Sequence, residues 1–321
     1  MMLVSDPHPR TTITVDSTLH VVYCFDHHYE QHFGASVMSL LLNCRGPGSD
    51  LCIHVVTSHV SDDFQARLDR LTDIFRSRIE VHLVLPDDIA RLSSLATKSK
   101  IMSHLTAATY YRVLLPNILP PSIDRVAYLD SDTIVLSDIR ALFDIDLGHA
   151  VIGAALDRGS AAMAAKRGLV QYINTGVMLM DLHRWRQGDY VDRCLDYASK
   201  NPEKISYGDQ CAINAVCTDA IHLLEARWNH FVVSPPKPDD ASGAAILHFI
   251  TGDKPWQAWY ENSLSSLYWR YLDVSPWSGA VPVPPTTVTQ AQRLARLRLT
   301  QGKPRESVKI YERIVASLTK T

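Results

Sequence analysis

Apolar runs that are typical of buried strands alternate with helical patterns through the first half of the chain. Near-continuous stretches of Val, Ile and Leu indicate strands covered on both faces, and alternation of such strands with helices indicates a mostly parallel sheet. The sequence therefore predicts an α/β fold with a mostly parallel central sheet flanked by helices. The predicted strands are residues 19–25, 51–57, 78–85, 126–129, 150–156 and 173–180. The predicted helices between them are residues 31–43, a helix that begins after Ser61 as its N-cap, and the stretch 109–120. In this last stretch, Pro116 is expected to end the helix.

An aspartate stands at the end of three of these predicted strands: Asp26, Asp130 and Asp157. In open α/β sheets, ligands bind at the carboxyl ends of the strands. All three carboxylates are therefore expected at the place where a ligand would lie.

The composition is that of an ordinary globular protein, with 46% hydrophobic and 21% charged residues. A net charge of −2 argues against a general nucleic-acid-binding protein. The chain has no apolar run of the roughly 18–20 residues that a membrane span needs, and its N-terminus has no apolar signal core. The six cysteines include no C-x-x-C pair, and Cys24 and Cys52 lie in apolar runs. Together these features predict a protein of the reducing cytoplasm.

One main domain with additions at both ends is predicted: an N-terminal extension (1–18), the domain (19–275), a proline-rich linker (276–288) and a basic helical tail (289–321). The second of two predicted tail helices, 291–299 and 306–318, carries an apolar stripe of Ile310, Tyr311, Ile314, Val315 and Leu318. The surrounding Lys and Arg side chains suit anionic headgroups, which would make the protein peripheral at the inner face of the membrane. The tail also resembles a helix pair of tetratricopeptide type, which would dock on a partner protein or on the domain itself.

Asp130 and Asp132 form an Asp-x-Asp pair after an apolar run. In an extended backbone, residues two apart point to the same side, so the two carboxylates would project together. Two close negative charges repel each other unless a cation lies between them. The alternative is an ordinary turn, because Asp144 and Asp146 have the same spacing without a strand before them. The spacing alone does not decide between these interpretations.

Four later residues carry polar groups on suitable elements: Asn174 within a strand, Gln210 at a helix start, His248 at a strand end and Lys254 beyond it. Carboxylates supply hard oxygen ligands, an imidazole moves the preference from Mg²⁺ towards Mn²⁺, and a lysine neutralises phosphate charge. Each residue alone has an ordinary explanation, such as a turn, a cap or a solvated charge. Their joint occurrence in this order predicts a site for a metal ion and a diphosphate.

Five segments resemble glycosyltransferase family 8, the retaining sugar-nucleotide transferases that include bacterial lipopolysaccharide galactosyl- and glucosyltransferases and glycogenin. The segments are VVYCFDHHY, RVAYLDSDTIVL, INTGVMLMDLHRW, YGDQCAIN and HFITGDKPW, which together extend from Val21 to Trp256. The resemblance implies a glycosyltransferase A fold. It also implies a bound divalent ion, Mn²⁺ with Mg²⁺ as the alternative, held by Asp130, Asp132 and His248, with Lys254 on the diphosphate of a UDP-sugar.

The resemblance also implies roles around the donor. Asp26 would accept a hydrogen bond from uracil N3–H, His28 would lie near the ribose, and Arg112 would hold the donor. Cys24, Ser131 and Gly252 would border the same donor site. The sugar pocket would be lined by Asp157, Asn174, Asp209 and Gln210. The chain departs from the family at two positions: Thr251 stands where a glycine is frequent, and His28 where a smaller polar residue is frequent.

The implied activity is metal-dependent, retaining transfer of galactose or glucose from a UDP-sugar to a glycan or lipid-linked glycan, as in lipopolysaccharide biosynthesis. Gln210 would stabilise the transition state, and Asp209 would hold sugar hydroxyls. One rival is a haloacid-dehalogenase-like phosphatase with Asp130 as nucleophile, but 129 residues precede that aspartate, and Ile213 stands where a second aspartate is needed. The other rival is a non-catalytic module that binds UDP-sugars or glycans.

Overall fold

The computed structural model describes residues 18–44, 51–98, 107–236 and 241–318. The predicted N-terminal extension, residues 1–18, lies outside the described residues except for Thr18. The described strands form a seven-stranded sheet and a three-stranded sheet. They are β1 (Leu19–Cys24), β2 (Leu51–Thr57), β3 (Arg78–Leu83), β4 (Arg125–Leu129), β5 (Thr133–Val135), β6 (Ile152–Leu156), β7 (Ile173–Asp181), β8 (Ile221–Leu223), β9 (His230–Val232) and β10 (Ile246–Phe249).

The large sheet has the strand order β3-β2-β1-β4-β7-β6-β8, and the small sheet has the order β5-β10-β9. Within the large sheet, β3, β2, β1 and β4 are parallel to one another, and β6 is parallel to β8. Strand β7 runs antiparallel to both β4 and β6. The predicted mostly parallel central sheet is confirmed, with one reversed strand between β4 and β6.

Helices cover both faces of the large sheet, as the continuous apolar runs predict. Successive side chains of β1 point to opposite faces of the sheet. Val21 lies in one hydrophobic cluster with Phe33, and Val22 lies in another with Trp185. All four side chains are fully buried. The α-helices are α1 (Glu30–Asn43), α2 (Asp62–Phe75), α3 (Pro86–Lys98), α4 (Leu115–Ile118), α5 (Arg140–Phe143), α6 (Ser160–Arg167), α7 (Leu182–Gln187), α8 (Tyr190–Lys200), α9 (Asp209–Val216), α10 (Ser265–Asp273), α11 (Val288–Thr300) and α12 (Pro304–Leu318).

The prediction of a helix over residues 109–120 was wrong about the type of helix and about the role of Pro116. A 3-10 helix, Ala107–Leu114, leads directly into the short α4. Pro116 lies in the first turn of α4, where its missing N–H has no helical partner to lose, and so it does not end the helix. The chain becomes extended at Leu119, the residue before Pro120.

The predicted C-terminal helical tail is confirmed by α11 and α12. Thr287 begins α11 with a capping box, in which its hydroxyl accepts from the backbone N–H of Gln290. Arg293 of α11 contacts the main domain, with Nη1 2.8 Å from Asp253 and Nε 3.0 Å from Glu261. The first tail helix is therefore tied to the domain by two ion pairs. None of the described helices combines the length and apolar character that a membrane crossing requires.

Candidate active site

The predicted metal-binding carboxylates follow β4 in a turn. Thr133 closes this turn, because its backbone N–H (3.2 Å) and its hydroxyl (2.7 Å) both donate to the carbonyl oxygen of Asp130. The expected extended backbone at Asp130 and Asp132 was therefore wrong, since residues 131–132 are turn residues, although the two carboxylates do lie together as expected. The turn instead bends the chain so that both carboxylates reach His248.

His248 brings an imidazole to these carboxylates from β10, which pairs with β5 directly after the turn. Its Nε2 lies 3.3 Å from Oδ1 of Asp132 and 3.8 Å from Oδ2 of Asp130. One donor atom from each of the three residues lies within 4.8 Å of the other two. Two carboxylate oxygens and one imidazole nitrogen are donors that Mn²⁺ and Mg²⁺ accept. The residues present therefore fit a divalent ion.

Asn229 orients His248, and the sequence analysis did not identify it. This asparagine is 2% exposed, its Oδ1 lies 2.9 Å from Nδ1 of His248, and its Nδ2 donates to Oδ1 of Asn174 at 2.9 Å. Because an amide oxygen only accepts, Nδ1 carries the proton shared with Asn229, and Nε2 is the nitrogen that faces the two carboxylates. Asn229 thus fixes the tautomer of His248 that a metal ligand requires.

Replacement of Asn229 by alanine is expected to weaken Mn²⁺ binding by about 10–100-fold, the usual effect of losing a partner that orients a metal-bound histidine. Titration calorimetry or electron paramagnetic resonance of added Mn²⁺ measures this. Asn229→Asp is the comparison, because it retains an acceptor for Nδ1–H although it loses the donor to Asn174, so it should keep more affinity than Asn229→Ala. Wild-type Mn²⁺ affinity in Asn229→Ala would show that the hydrogen bond does not orient the ligand.

Lys254 lies on the other side of the Asp132 carboxylate. Its Nζ is 2.6 Å from Oδ2 of Asp132 and donates to the carbonyl oxygen of Phe249 at 2.8 Å. Burial alone would raise the pKa of Asp132, but Lys254 and His248 together outweigh it, so that the pKa lies well below its ordinary value. Asp132 is therefore ionised at neutral pH.

Arg112 connects the other metal-site carboxylate to a buried acid. Its Nη1 lies 3.1 Å from Oδ1 of Asp130, its Nε lies 3.0 Å from Oδ2 of Asp209, and its guanidinium stacks over the ring of Tyr128. The hydroxyl of Tyr128 also donates to Oδ1 of Asp130 at 2.6 Å. Burial raises the pKa of Asp209 to about 7, although Arg112 opposes this rise. Asp209 thus lies behind Arg112, with only 2% of its surface exposed.

Gln210 and Asp157 form another hydrogen-bonded group of the site. The Nε2 of Gln210 donates to Oδ2 of Asp157 at 2.6 Å, and its Oε1 accepts from the backbone N–H of Thr175 at 3.2 Å. Asn174 also donates to Oδ2 of Asp157, at 3.4 Å. Burial raises the pKa of Asp157, and the hydrogen bonds from Gln210 and Asn174 counteract it. The backbone donor of Thr175 fixes the orientation of the Gln210 amide.

These groups line one cavity with a volume of about 770 Å³. The predicted site residues in its lining are Cys24, Asp26, Arg112, Asp130, Ser131, Asp132, Asp157, Asn174, Gln210, His248, Gly252 and Lys254. Two predicted site residues, His28 and Asp209, do not line it. His28 is exposed, and its backbone N–H donates to Oδ1 of Asp26 at 3.1 Å. The structure therefore brings the predicted metal, diphosphate and sugar residues together, but not these two.

The cavity also has lining residues that the sequence analysis did not assign. Thr109, Met163, Tyr207 and Ile250 are among them. The segment YGDQCAIN already contained Tyr207, but nothing in the sequence marks Thr109 or Met163 as ligand contacts.

Thr251 makes the backbone turn of the loop beyond β10. Its φ is 91°, in the left-handed region that favours glycine, whereas the φ of the following Gly252 lies outside that region. Thr251 stands where the resembling family often has glycine. This position therefore keeps a backbone conformation that suits glycine, although its residue is β-branched.

Comparison with known proteins agrees with the geometry. The family model described as glycosyl transferase family 8 matches residues 20–260. General stress protein A of Bacillus subtilis is 28% identical over 82% of this chain and 96% of its own length. A lipopolysaccharide 1,3-galactosyltransferase of Salmonella typhimurium is 26% identical, over 91% of this chain and 88% of its own.

Among solved structures, the galactosyltransferase LgtC in complex with donor and acceptor sugar analogues superposes with a TM-score of 0.68. The two chains are 21% identical, and the match covers 82% of this chain and 98% of LgtC. This likeness shows that the chain has the glycosyltransferase A fold expected from its sequence. Because the family model matches most of its length, the chain belongs to glycosyltransferase family 8.

Proposed function

We propose that the protein is a retaining hexosyltransferase that moves galactose or glucose from a UDP-sugar to a glycan or lipid-linked glycan acceptor. The observation that carries the proposal is the convergence of Asp130, Asp132 and His248 with Lys254 in a cavity that also contains Gln210. Its volume, about 770 Å³, falls in the range of roughly 300–1,000 Å³ that is usual for small-molecule sites. A role in lipopolysaccharide biosynthesis is the corresponding proposal, supported by the relatives of that function.

The metal and diphosphate part of the site is assigned to Mn²⁺, with Mg²⁺ as the alternative. Asp130, Asp132 and His248 would hold the ion, which when bound would supply Lewis-acid stabilisation of the charge that grows on the departing UDP. Lys254 adds a positive charge next to Asp132 and would neutralise diphosphate oxygens. Arg112 pairs with Asp130 on the other side and holds that carboxylate in place.

The nucleoside would lie at the end of β1, where Cys24 and Asp26 line the cavity. The Asp26 carboxylate can accept a hydrogen bond from uracil N3–H, whereas cytosine has no hydrogen at N3 to donate. The sugar would lie against Asp157, Asn174 and Gln210, whose polar groups are fixed by one another. This placement puts the anomeric carbon between the diphosphate residues and Gln210.

A panel of UDP-sugars tests the proposal without a known acceptor. With Mn²⁺ present, slow hydrolysis of UDP-galactose or UDP-glucose is expected, because water can replace the acceptor, and excess EDTA should stop it. Release of UDP measures the rate, and p-nitrophenyl phosphate serves as a parallel substrate. Hydrolysis of that phosphate ester without hydrolysis of any UDP-sugar would instead favour the phosphatase alternative. UDP binding with no turnover against many acceptors would favour a non-catalytic module.

Transfer is proposed to retain the anomeric configuration without a covalent intermediate on the chain. A double displacement needs a nucleophile such as a carboxylate on the face opposite UDP, and the residue we place there, Gln210, is an amide. Its neighbour Asp209 does not line the cavity and lies beside Arg112. The acceptor would therefore attack from the face that UDP leaves. An inverted product, identified by nuclear magnetic resonance, would contradict this, and a trapped glycosyl adduct on a cavity carboxylate would identify a nucleophile.

Gln210→Ala is expected to lower turnover on the order of 10²-fold, the size that follows from losing one fixed polar group beside the reacting centre. The UDP affinity should remain nearly unchanged, because the amide faces Asp157 and Thr175 in the proposed sugar pocket. Parallel measurement of kcat and of UDP binding separates the two effects. Equal losses of turnover and UDP affinity would show that Gln210 contributes to nucleotide binding instead.

A further inference from the structure

A row of histidines crosses the first three strands of the large sheet. His20 of β1, His54 of β2 and His82 of β3 lie on the same face, because their strands are parallel and the positions share one parity in the register. The Nδ1 of His20 lies 2.9 Å from Nε2 of His54, and Nδ1 of His54 lies 3.0 Å from Nε2 of His82. None of the three lines the active-site cavity. Together with Glu80 of β3, they form a second cluster of side chains whose types can ligate a metal ion.

We propose that this cluster is a second metal site, which takes a borderline-soft divalent cation such as Zn²⁺ through His54, Glu80 and His82. The Nδ1 of His54, Nε2 of His82 and Oε2 of Glu80 are mutually 3.0, 3.6 and 4.0 Å apart. Donors that share one ion at bond lengths of about 2.1 Å have separations of this size. Imidazole and carboxylate are donors that Zn²⁺ accepts. The fourth position would be taken by water.

The neighbouring side chains orient these three donors. Arg78 holds the other carboxylate oxygen of Glu80, with Nε 3.1 Å from Oε1, so that Oε2 faces the imidazoles. His20 contacts Nε2 of His54 and can accept its proton, which leaves Nδ1 of His54 as the ligand atom. Arg78 and His20 thus stand where hydrogen-bonding partners commonly orient metal ligands.

The site is buried at one end and open at the other. The side chain of His54 is fully buried, whereas those of His82 and Glu80 are 17% and 36% exposed. An ion can therefore approach from the side of β3. An N···N contact of 3.0 Å requires one of the two nitrogens to be unprotonated, so a lone pair is already present between His54 and His82. A bound ion would link β2 to β3.

A rival ligand set consists of His20, Cys52 and His54. The Sγ of Cys52 accepts from Nε of Arg78 at 3.1 Å, so this sulfur already has a cationic partner beside it. Glu80, in contrast, offers a carboxylate oxygen to the two imidazoles. We therefore assign the ion to His54, Glu80 and His82. A variant of Cys52 distinguishes the two ligand sets, because Cys52 belongs only to the rival set.

The test titrates Zn²⁺ into the full-length His248→Ala protein, kept reduced, because that change removes the metal ligand of the active site. One Zn²⁺ per chain and a rise in melting temperature are expected. Adding Glu80→Gln or His82→Asn should weaken binding by more than about 10-fold, since even an outer partner of a ligand contributes that much. Cys52→Ser should bind as the His248→Ala parent does.

Calorimetry gives the affinity, and melting without Zn²⁺ shows that each variant is folded. Glu80→Gln keeps the size of the side chain, so it remains informative if His82→Asn does not fold. No Zn²⁺ binding by the His248→Ala parent overturns the proposal. So does equal binding by all variants, which places the ion elsewhere. Loss of binding in Cys52→Ser, or a sulfur-to-metal charge-transfer band with Co²⁺, assigns the ion to the rival set and overturns it as well.

Discussion

Replacing His248 by alanine, or Asp132 by asparagine, should abolish sugar transfer while the fold persists. Each change removes one of the three donors that would hold the proposed divalent ion, and electrostatic stabilisation by such an ion contributes several kcal/mol at the transition state. A decrease in turnover of roughly 10³-fold or more corresponds to that free energy. Transfer or donor hydrolysis measured at saturating Mn²⁺, beside the Mn²⁺ affinity, checks both steps of the argument.

His222→Ala is a suitable control, because His222 lies on β8 and does not line the cavity. This variant should retain activity and Mn²⁺ affinity, which separates loss of a metal ligand from loss of any histidine. Full wild-type activity in excess EDTA would remove the metal from the mechanism.

Adding one methyl group at Gly176 should disable the same site. A Cβ at this position of β7 would overlap the ring of His248 and lie 2.7 Å from Oδ2 of Asp130. Both ligands would have to move, and a displacement of about 1 Å at a reacting centre lowers rates by about 10²-fold. We expect Gly176→Ala to lose Mn²⁺ affinity and at least that much activity while its melting temperature changes less.

Gly148→Ala provides the comparison for the glycine effect. A Cβ at Gly148 would meet no atom within 4 Å, although its φ of +56° makes alanine unfavourable there by about 1 kcal/mol. That variant should be slightly less stable and fully active. If Gly176→Ala bound Mn²⁺ as tightly as the wild type, the close approach of β7 to the metal ligands would have no functional role.

The convergence of the three proposed metal ligands could be predicted from sequence because each residue has a local signal. Asp130 and Asp132 follow an apolar strand, and His248 ends another, so their positions at strand ends follow from the pattern alone. Asn229 and Gly176 have no such signal. Asn229 matters because it contacts His248 and Asn174, and Gly176 matters because the side chains of His248 and Asp130 occupy the space that a Cβ would need. Contacts between distant segments are not encoded in local periodicity.

The secondary structure was less predictable where the backbone departs from regular geometry. The apolar pattern of residues 109–120 is compatible with a 3-10 helix as well as an α-helix, and it is the 3-10 turn that carries Arg112. Asp209 and Gln210 are neighbours in one predicted helix, and their different directions around the helix axis separate a buried acid from a cavity amide. The sequence placed both near the site, but only packing decided which one lines it.

Strand β7 sets the position of Asn174, proposed for the sugar, relative to Asp130, proposed for the metal. This strand runs antiparallel to β4, and its Val177 pairs with Leu129 of β4. Gly176, which precedes Val177, therefore lies beside Asp130, which follows Leu129. A neighbour parallel to β4 would instead bring its starting residues to the far edge of the sheet, roughly 3.3 Å away for every residue of strand length. The antiparallel direction of this one strand thus fixes the distance between the two parts of the site. A single inserted residue between Asn174 and Val177 would turn the asparagine to the opposite face and separate the two halves of the site.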